Sequence, residues 1–127
     1  MKNIILLCIA LSCVLLSCKK EENNSNNSSR TLTYEISGNF TGTFFAAYTT
    51  ATGGTTNEQI TSLPWRKEIT YTSNVTSAAI ALVGNGGVAG QKVTLTVKRG
   101  NQLVGTPIDV TANSSGAFSE TAPVVVF

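Results

Sequence analysis

Three regimes of hydrophobic patterning divide the chain. Ile4 to Leu16 is an apolar run broken only by Ser12, Lys19 to Arg30 contains no apolar residue, and from Thr31 apolar and polar positions alternate. Leu32, Tyr34 and Ile36 alternate with Thr33, Glu35 and Ser37, the period of a half-buried strand whose successive side chains point to opposite faces. Gly38-Asn39 then offers a turn. The run Thr43 to Thr50 carries Phe44, Ala46 and Tyr48 on one side and Phe45 with Ala47 on the other, which predicts a strand at least partly buried on both faces. Ala51 to Gly54 supplies another turn, and a short strand is expected around Gln59 to Thr61. Leu63-Pro64-Trp65 opens the next strand, in which Trp65, Lys67, Ile69 and Tyr71 share a face.

Val75 to Val83 reads as a further strand, and Lys92 to Lys98 alternates strictly, with Val93, Leu95 and Val97 on the core side. Gly100-Asn101 allows a tight hairpin into Gln102-Leu103-Val104. Ile108 with Val110 marks another strand, Asn113 to Gly116 a turn, and Ala117 to Phe127 the last one or two strands. Eighteen threonines against five leucines after Arg30 favour pleated strands over helices, because β-branched side chains suit a sheet surface and leucine stripes are missing. The prediction is an all-β sandwich of about seven to nine strands, near the roughly 100 residues usual for such a domain.

The apolar leader explains the other two regimes. Thirteen residues are too few for the about 20 that cross a bilayer as a helix, and Lys2 precedes them as a short positive region, so Met1 to Ser17 reads as a cleaved signal peptide. Leu15-Leu16-Ser17-Cys18 resembles the bacterial lipoprotein signal, in which a small residue precedes a cysteine that receives a diacylglycerol. The resemblance implies lipidation of Cys18 and a membrane partner reached through that lipid. Lys19-Lys20-Glu21-Glu22 is similar to the short export signal of Bacteroidota lipoproteins, which implies that Lys20, Glu21 and Glu22 direct the chain to the outer face of the outer membrane. Residues 18–30 are then a lipid-anchored disordered tether with a root-mean-square span of about 20 Å, and residues 31–127 are the β-sandwich domain. Cys8 and Cys13 leave with the leader, so the mature domain is expected to have no disulfide.

Charge and chemistry narrow the function further. The chain carries +2 at neutral pH, but from Thr31 onward five basic residues face five acidic ones, which gives no concentrated positive field for nucleic-acid phosphates. No histidine is present, which excludes His-based triads and His metal sites. Asp109 is the lone aspartate, and Glu35, Glu58, Glu68 and Glu120 are scattered, so no carboxylate pair, calcium loop or other metal site is proposed, and no cofactor. Gly84, Gly86 and Ala89 match the glycine spacing of a dinucleotide fingerprint, but a strand follows where the fingerprint needs a helix. No catalytic residue is identified and the chain is not read as an enzyme. Trp65 is expected to be a pillar between the sheets, the other role open to it being an exposed platform for a sugar ring or lipid.

Thr33-Tyr34-Glu35-Ile36-Ser37-Gly38, Leu63-Pro64-Trp65 before a threonine-rich strand, Arg99-Gly100-Asn101 and Ser115-Gly116-Ala117 occur in that order across most of Thr31 to Ala122. In order and spacing they resemble the small mycobacterial membrane protein family, MmpS, and its lipoprotein relatives in Bacteroidota. The resemblance implies an immunoglobulin-like sandwich and an accessory role beside exporters of lipids or small molecules. The chain departs from that family in its lipid anchor, which stands where the family has a transmembrane helix, and in lacking the cysteine pair of many members. Two functions are therefore expected: a surface-exposed lipoprotein acting as a non-catalytic binding or structural module with an envelope protein or glycan partner, or an exporter accessory. In the first, the loops Ala51 to Asn57 and Gly84 to Gly90 would be displayed away from the anchor.

Overall fold

The computed structural model describes residues 29–127, and these are all-β. The strands are β1 Thr31–Gly38, β2 Thr43–Thr49, β3 Thr55–Ile60, β4 Trp65–Thr70, β5 Ser77–Ala78, β6 Ile80–Asn85, β7 Lys92–Arg99, β8 Gln102–Leu103, β9 Ile108–Thr111, β10 Phe118–Thr121 and β11 Val125–Val126. Eleven strands exceed the expected seven to nine because three are only two residues long and the Val75 to Val83 run divides into β5 and β6. The signal peptide, Cys18 and the Lys20, Glu21, Glu22 signal lie outside the described residues.

Every strand pairing is antiparallel. One sheet runs β4-β1-β7-β8, with β9 also on β7. β8 pairs with Lys98 and Arg99, while β9 pairs with Lys92 to Leu95 on that same edge of β7, so this edge is a single interrupted strand broken at Val104 to Pro107. The second sheet runs β10-β6-β2-β3. The β5-β11 pair continues it beyond β6 and β10, joined by the Ala122 amide donating to the Ile80 carbonyl at 3.0 Å.

The period-two alternation decides what each sheet buries. Leu32, Tyr34, Ile36, Val93, Leu95 and Val97 of the first sheet meet Phe44, Ala46, Tyr48, Ile80 and Leu82 of the second in one continuous core. β2 departs from the expectation of two buried faces: Phe45 is 39% exposed and pairs across the strand with Val83, itself 40% exposed. The outer face of this sheet is open, so only the Phe44 side of the strand reaches the core. At one end Phe40, Phe44 and Phe118 stack edge-to-face, with centroids 4.9 to 6.0 Å apart. Gly84 lies directly beneath Phe118, and a Cβ there would collide with the ring, so the absence of a side chain sets the approach of β10 to the core.

The opposite end receives the N-terminal side of the domain. Arg30, assigned to the tether by composition, donates from Nε to the Tyr71 carbonyl at 3.2 Å and from Nη2 to the carbonyls of Thr72, at 2.7 Å, and Val75. Its guanidinium also lies 4.5 Å from the centre of the Phe127 ring. A charged donor satisfying several loop carbonyls is worth more than a neutral one, so order extends back to Arg30. The Ala51 to Gly54 hairpin is at this same end, tied by the Thr72 amide to the Ala51 carbonyl at 2.9 Å. The two loops expected to be displayed together therefore lie at opposite ends: Gly86 to Gly90 is at the end far from Arg30, whereas Ala51 to Gly54 lies beside Arg30, and Thr55 to Asn57 belongs to β3; the anchor lies outside the described residues. The path is imposed by β1, which leaves Arg30 and ends at the far end, so that β2 must return.

Candidate functional site

A two-sheet sandwich has two open sides, and this sequence closes them with opposite chemistry. On the first side the edge strands β3 and β4 approach each other, and inward positions that elsewhere hold apolar residues carry Glu58 and Lys67. Lys67 Nζ lies 2.7 Å from Glu58 Oε2, the Tyr48 hydroxyl donates to the same oxygen at 2.5 Å, and the Trp65 indole N–H donates to Oε1 at 3.1 Å. Both carboxylate oxygens are thus engaged. Hydrogen bonds from Lys67 and then Tyr48 hold the Glu58 carboxyl below its ordinary range against the opposing effect of burial, with a smaller contribution from Trp65. Its carboxylate in turn pushes the Lys67 ammonium up. Burial, then the bond to Glu58, raises the Tyr48 phenol. Glu58 and Lys67 thus bridge the two sheets, each still about a third exposed, and this is the sealed side of the sandwich; inward-pointing charge on an edge strand also discourages pairing with another chain.

Trp65 stands at the rim of the sealed side. It is half-buried, packs on Tyr48 with centroids 6.3 Å apart, and follows a cis Leu63–Pro64 peptide. This corrects its reading as an interior pillar, since it begins an edge strand and its N–H must reach Glu58 on the other sheet. Tyr34 and Phe44 fill the interior instead. The hydroxyls of Tyr34 and Tyr71 are 3.0 Å apart, Tyr71 donates on to the Thr49 carbonyl at 3.0 Å, and burial, with Tyr71 second, pushes Tyr34 far above the ordinary phenol range.

The titration of the sealed side has a defined sign. A carboxyl whose folded value is depressed contributes stability above its unfolded value and loses it as pH falls through the folded value, whereas the raised Lys67 and Tyr48 contribute below their unfolded values and lose that as pH rises. The cluster is therefore fully stabilising between about 4.5 and 10.0, the ordinary values of the carboxyl and the phenol. Glu58→Gln should lower the melting temperature most near neutral pH, and its deficit against wild type should shrink as pH drops below 4.5. A deficit that stays constant in acid would contradict this role for the charge.

The second open side lies between the interrupted β8-β9 edge and the segment Ala122 to Val126. Here a groove has formed from two contiguous depressions that share Val104, Gly105, Val124 and Val125. The inner one, about 240 Å³, reaches the core at Leu95, Val97, Ile108 and Ala122. The outer one, about 440 Å³, is bounded by Leu103, Val126, Gln102 and Arg99. Leu103, Val124 and Val126 are 55%, 57% and 68% exposed, three large apolar side chains gathered on one surface with more than half of each left in water. The break in the edge holds the groove open: Gly105 has φ +72°, so the chain turns away from β7 after the Val104 amide bonds the Val97 carbonyl at 2.8 Å, and it rejoins at Ile108. Arg99 Nη2 donates to the Val126 carbonyl, and its guanidinium lies 5.2 Å from the centre of the Phe127 ring.

Neither edge of this groove was identified from sequence. The signal available was Val124-Val125-Val126 beside Pro123, and the Gly105-Thr106-Pro107 interruption, which break alternation where a sheet would otherwise close. The glycine loop before β7 does not begin a helix, in agreement with the strand expected there. Among the described residues no group of three or more His, Cys, Asp or Glu side chains is positioned to hold a metal ion, and no helix is long and apolar enough to cross a membrane. The chain matches no protein-family model, no curated protein and no solved structure at significant similarity.

Proposed function

We propose that the chain is a lipid-anchored outer-membrane lipoprotein, displayed at the cell surface, whose immunoglobulin-like sandwich acts as a non-catalytic binding module. The observation that carries the binding role is the asymmetry of the open sides: Glu58 and Lys67 seal one, while the other leaves Leu103, Val124 and Val126 exposed around a groove that reaches the core. Apolar surface left uncovered on a small domain is where an apolar partner gains most. The lipoprotein signal at Cys18 and the charged run after it support the anchoring and the surface display. Radiolabelled fatty acid should enter the wild-type chain and not Cys18→Ser, and external protease should remove the wild-type domain from intact cells but spare more of a variant with Glu21 and Glu22 both changed to Gln. An unmodified cysteine by mass spectrometry would end the anchoring reading, and complete protection on intact cells would favour a periplasmic face.

A second reading, accessory subunit of an envelope exporter for lipids or small molecules, is favoured by the same groove together with the MmpS resemblance. It requires a stable exporter partner, so crosslinking that recovers a multispan transporter with the chain would select it.

A further inference from the structure

The outer face of the second sheet carries no charge. Its outward positions on β2, β3, β6 and β10 hold only threonine, serine, asparagine, glutamine, alanine, valine and phenylalanine. The outer face of the first sheet is crossed instead by ion pairs that join Glu35, Arg66, Glu68 and Lys98. We infer that the uncharged face binds a neutral saccharide chain, with Phe45 as the platform for a sugar ring and Thr43, Gln59 and Asn85 as its hydrogen-bonding groups. This surface is separate from the β8-β11 groove, and neither depends on the other.

Two features adjoin on this face. At the start of β2 a shallow depression of about 400 Å³ is lined by the side chains of Thr41, Thr43, Gln59, Thr61 and Asn85, none of them charged. Next along the same face Phe45 stands 39% exposed, between Gln59 on β3 and Val83 on β6. Alternate residues of a strand lie about 7 Å apart, so a chain of sugar rings that enters the depression also reaches the phenyl ring. The depression is pre-formed. Gly42 lies against the Asn85 carbonyl and the Gly87 amide, where a Cβ would collide, and Gln91 Oε1 accepts the Thr41 and Val88 amides at 3.1 and 3.0 Å. The Thr41 hydroxyl is also bonded to Gln91, whereas Thr43, Gln59, Thr61 and Asn85 have no side-chain hydrogen bond among the described residues.

Hydroxyl and amide groups both donate and accept, as the hydroxyls of a sugar do, and the C–H face of a sugar ring is apolar enough to cover an aromatic one. With no cation on it, the face has nothing to hold a phosphate, an acidic glycan or an anionic headgroup. A second copy of the chain is the other occupant open to a flat, uncharged face. Four strands about 4.8 Å apart, the longest of seven residues, span roughly 20 by 20 Å, or about 400 Å². That is half of the roughly 800 Å² that each partner contributes to a stable dimer, whereas a saccharide needs only a strip of it.

The test is affinity electrophoresis of the full chain, purified in detergent, through gels containing dextran, mannan, laminarin or arabinoxylan, with polygalacturonate as the acidic control. At least one neutral polymer should retard the chain, and polygalacturonate should not. Phe45→Ala should raise the polymer concentration needed for half-retardation about tenfold, and Phe45→Tyr should keep it near wild type. Gln59→Ala should raise it about fivefold. Thr106→Trp, which fills the inner slot of the β8-β11 groove from its exposed rim, should leave it unchanged. Melting curves separate loss of binding from loss of fold, and Gln59→Ala, at an exposed position, decides the matter should Phe45→Ala unfold. No retardation by any of the neutral polymers overturns the site, as does retardation that Phe45→Ala and Gln59→Ala leave intact or that Thr106→Trp abolishes. Stronger retardation by polygalacturonate overturns the neutral class of ligand. Sedimentation that finds a dimer, dissociated by Phe45→Ala, overturns the proposal in favour of a second copy.

Discussion

Phe118→Ala should lower the stability of the domain by about 3 to 5 kcal/mol, the range for truncating a buried aromatic. Phe118 meets Phe40 at 4.9 Å and Phe44 at 5.3 Å, both edge-to-face, and Gly84 supports it from below. Removing the ring leaves three surfaces facing a void, and the backbone of β10, already paired to β6 through Phe118↔Gly84, cannot collapse to fill it. In a domain of this size the fall in melting temperature should be roughly 15 to 30 °C. Gly84 supplies an internal check. Gly84→Ala places a methyl group into the Phe118 ring and should destabilise the wild type, yet cost little more once the ring is gone. A double-mutant cycle with strong positive coupling is expected; additive losses would mean that glycine and ring do not meet.

Trp65→Ala should cost less, about 2 to 3 kcal/mol, because Trp65 is only half-buried and its removal opens a rim rather than an interior cavity. Two losses combine: the packing against Tyr48, and the indole donor to Glu58 Oε1. Glu58 keeps Lys67 and the Tyr48 hydroxyl, so its charge does not become an uncompensated one. The intrinsic fluorescence, from the single tryptophan in the chain, should lie between buried and solvated limits and be partly accessible to aqueous quenchers. Calorimetry of Trp65→Ala is the check. An unchanged melting temperature would show that the indole contributes nothing to the fold and would return it to the role of an exposed platform.

These two residues mark how far the sequence could be read. Strict alternation in Thr31 to Gly38 and in Lys92 to Arg99 placed β1 and β7, the central pair of the first sheet, with the correct inward faces, because both put apolar side chains on the buried face and polar Thr, Glu and Lys side chains, mostly half-buried, on the other. The same reasoning missed most of β3. Its inward positions are Thr56, Glu58 and Ile60, so the apolar signal was a single residue, and the partners that make Glu58 acceptable inside are on β2 and β4. Trp65 was misplaced for the related reason that size predicts burial, whereas the position of β4 at a sheet edge set how much could be achieved. The groove was illegible because it is made by an interruption. Gln102-Leu103 and Ile108 to Thr111 read as separate strands, and only the pairing of both with β7 on one edge shows that a gap lies between them.

The central claim, that the β8-β11 groove is an occupied binding surface, is most directly tested by a single environment-sensitive label. On the proposed lipoprotein reading, in which Cys18 is acylated and Cys8 and Cys13 leave with the leader, Val124→Cys would introduce the sole free thiol. Labelled with a solvatochromic maleimide in the native envelope, it should emit as in an apolar medium, and adding Thr106→Trp to block the slot should shift it to the aqueous spectrum. The same label at Thr94, on the outer face of the first sheet, should emit as in water in both backgrounds. Aqueous emission from position 124 in the unblocked chain, or an apolar signal that Thr106→Trp leaves unchanged, would contradict the claim.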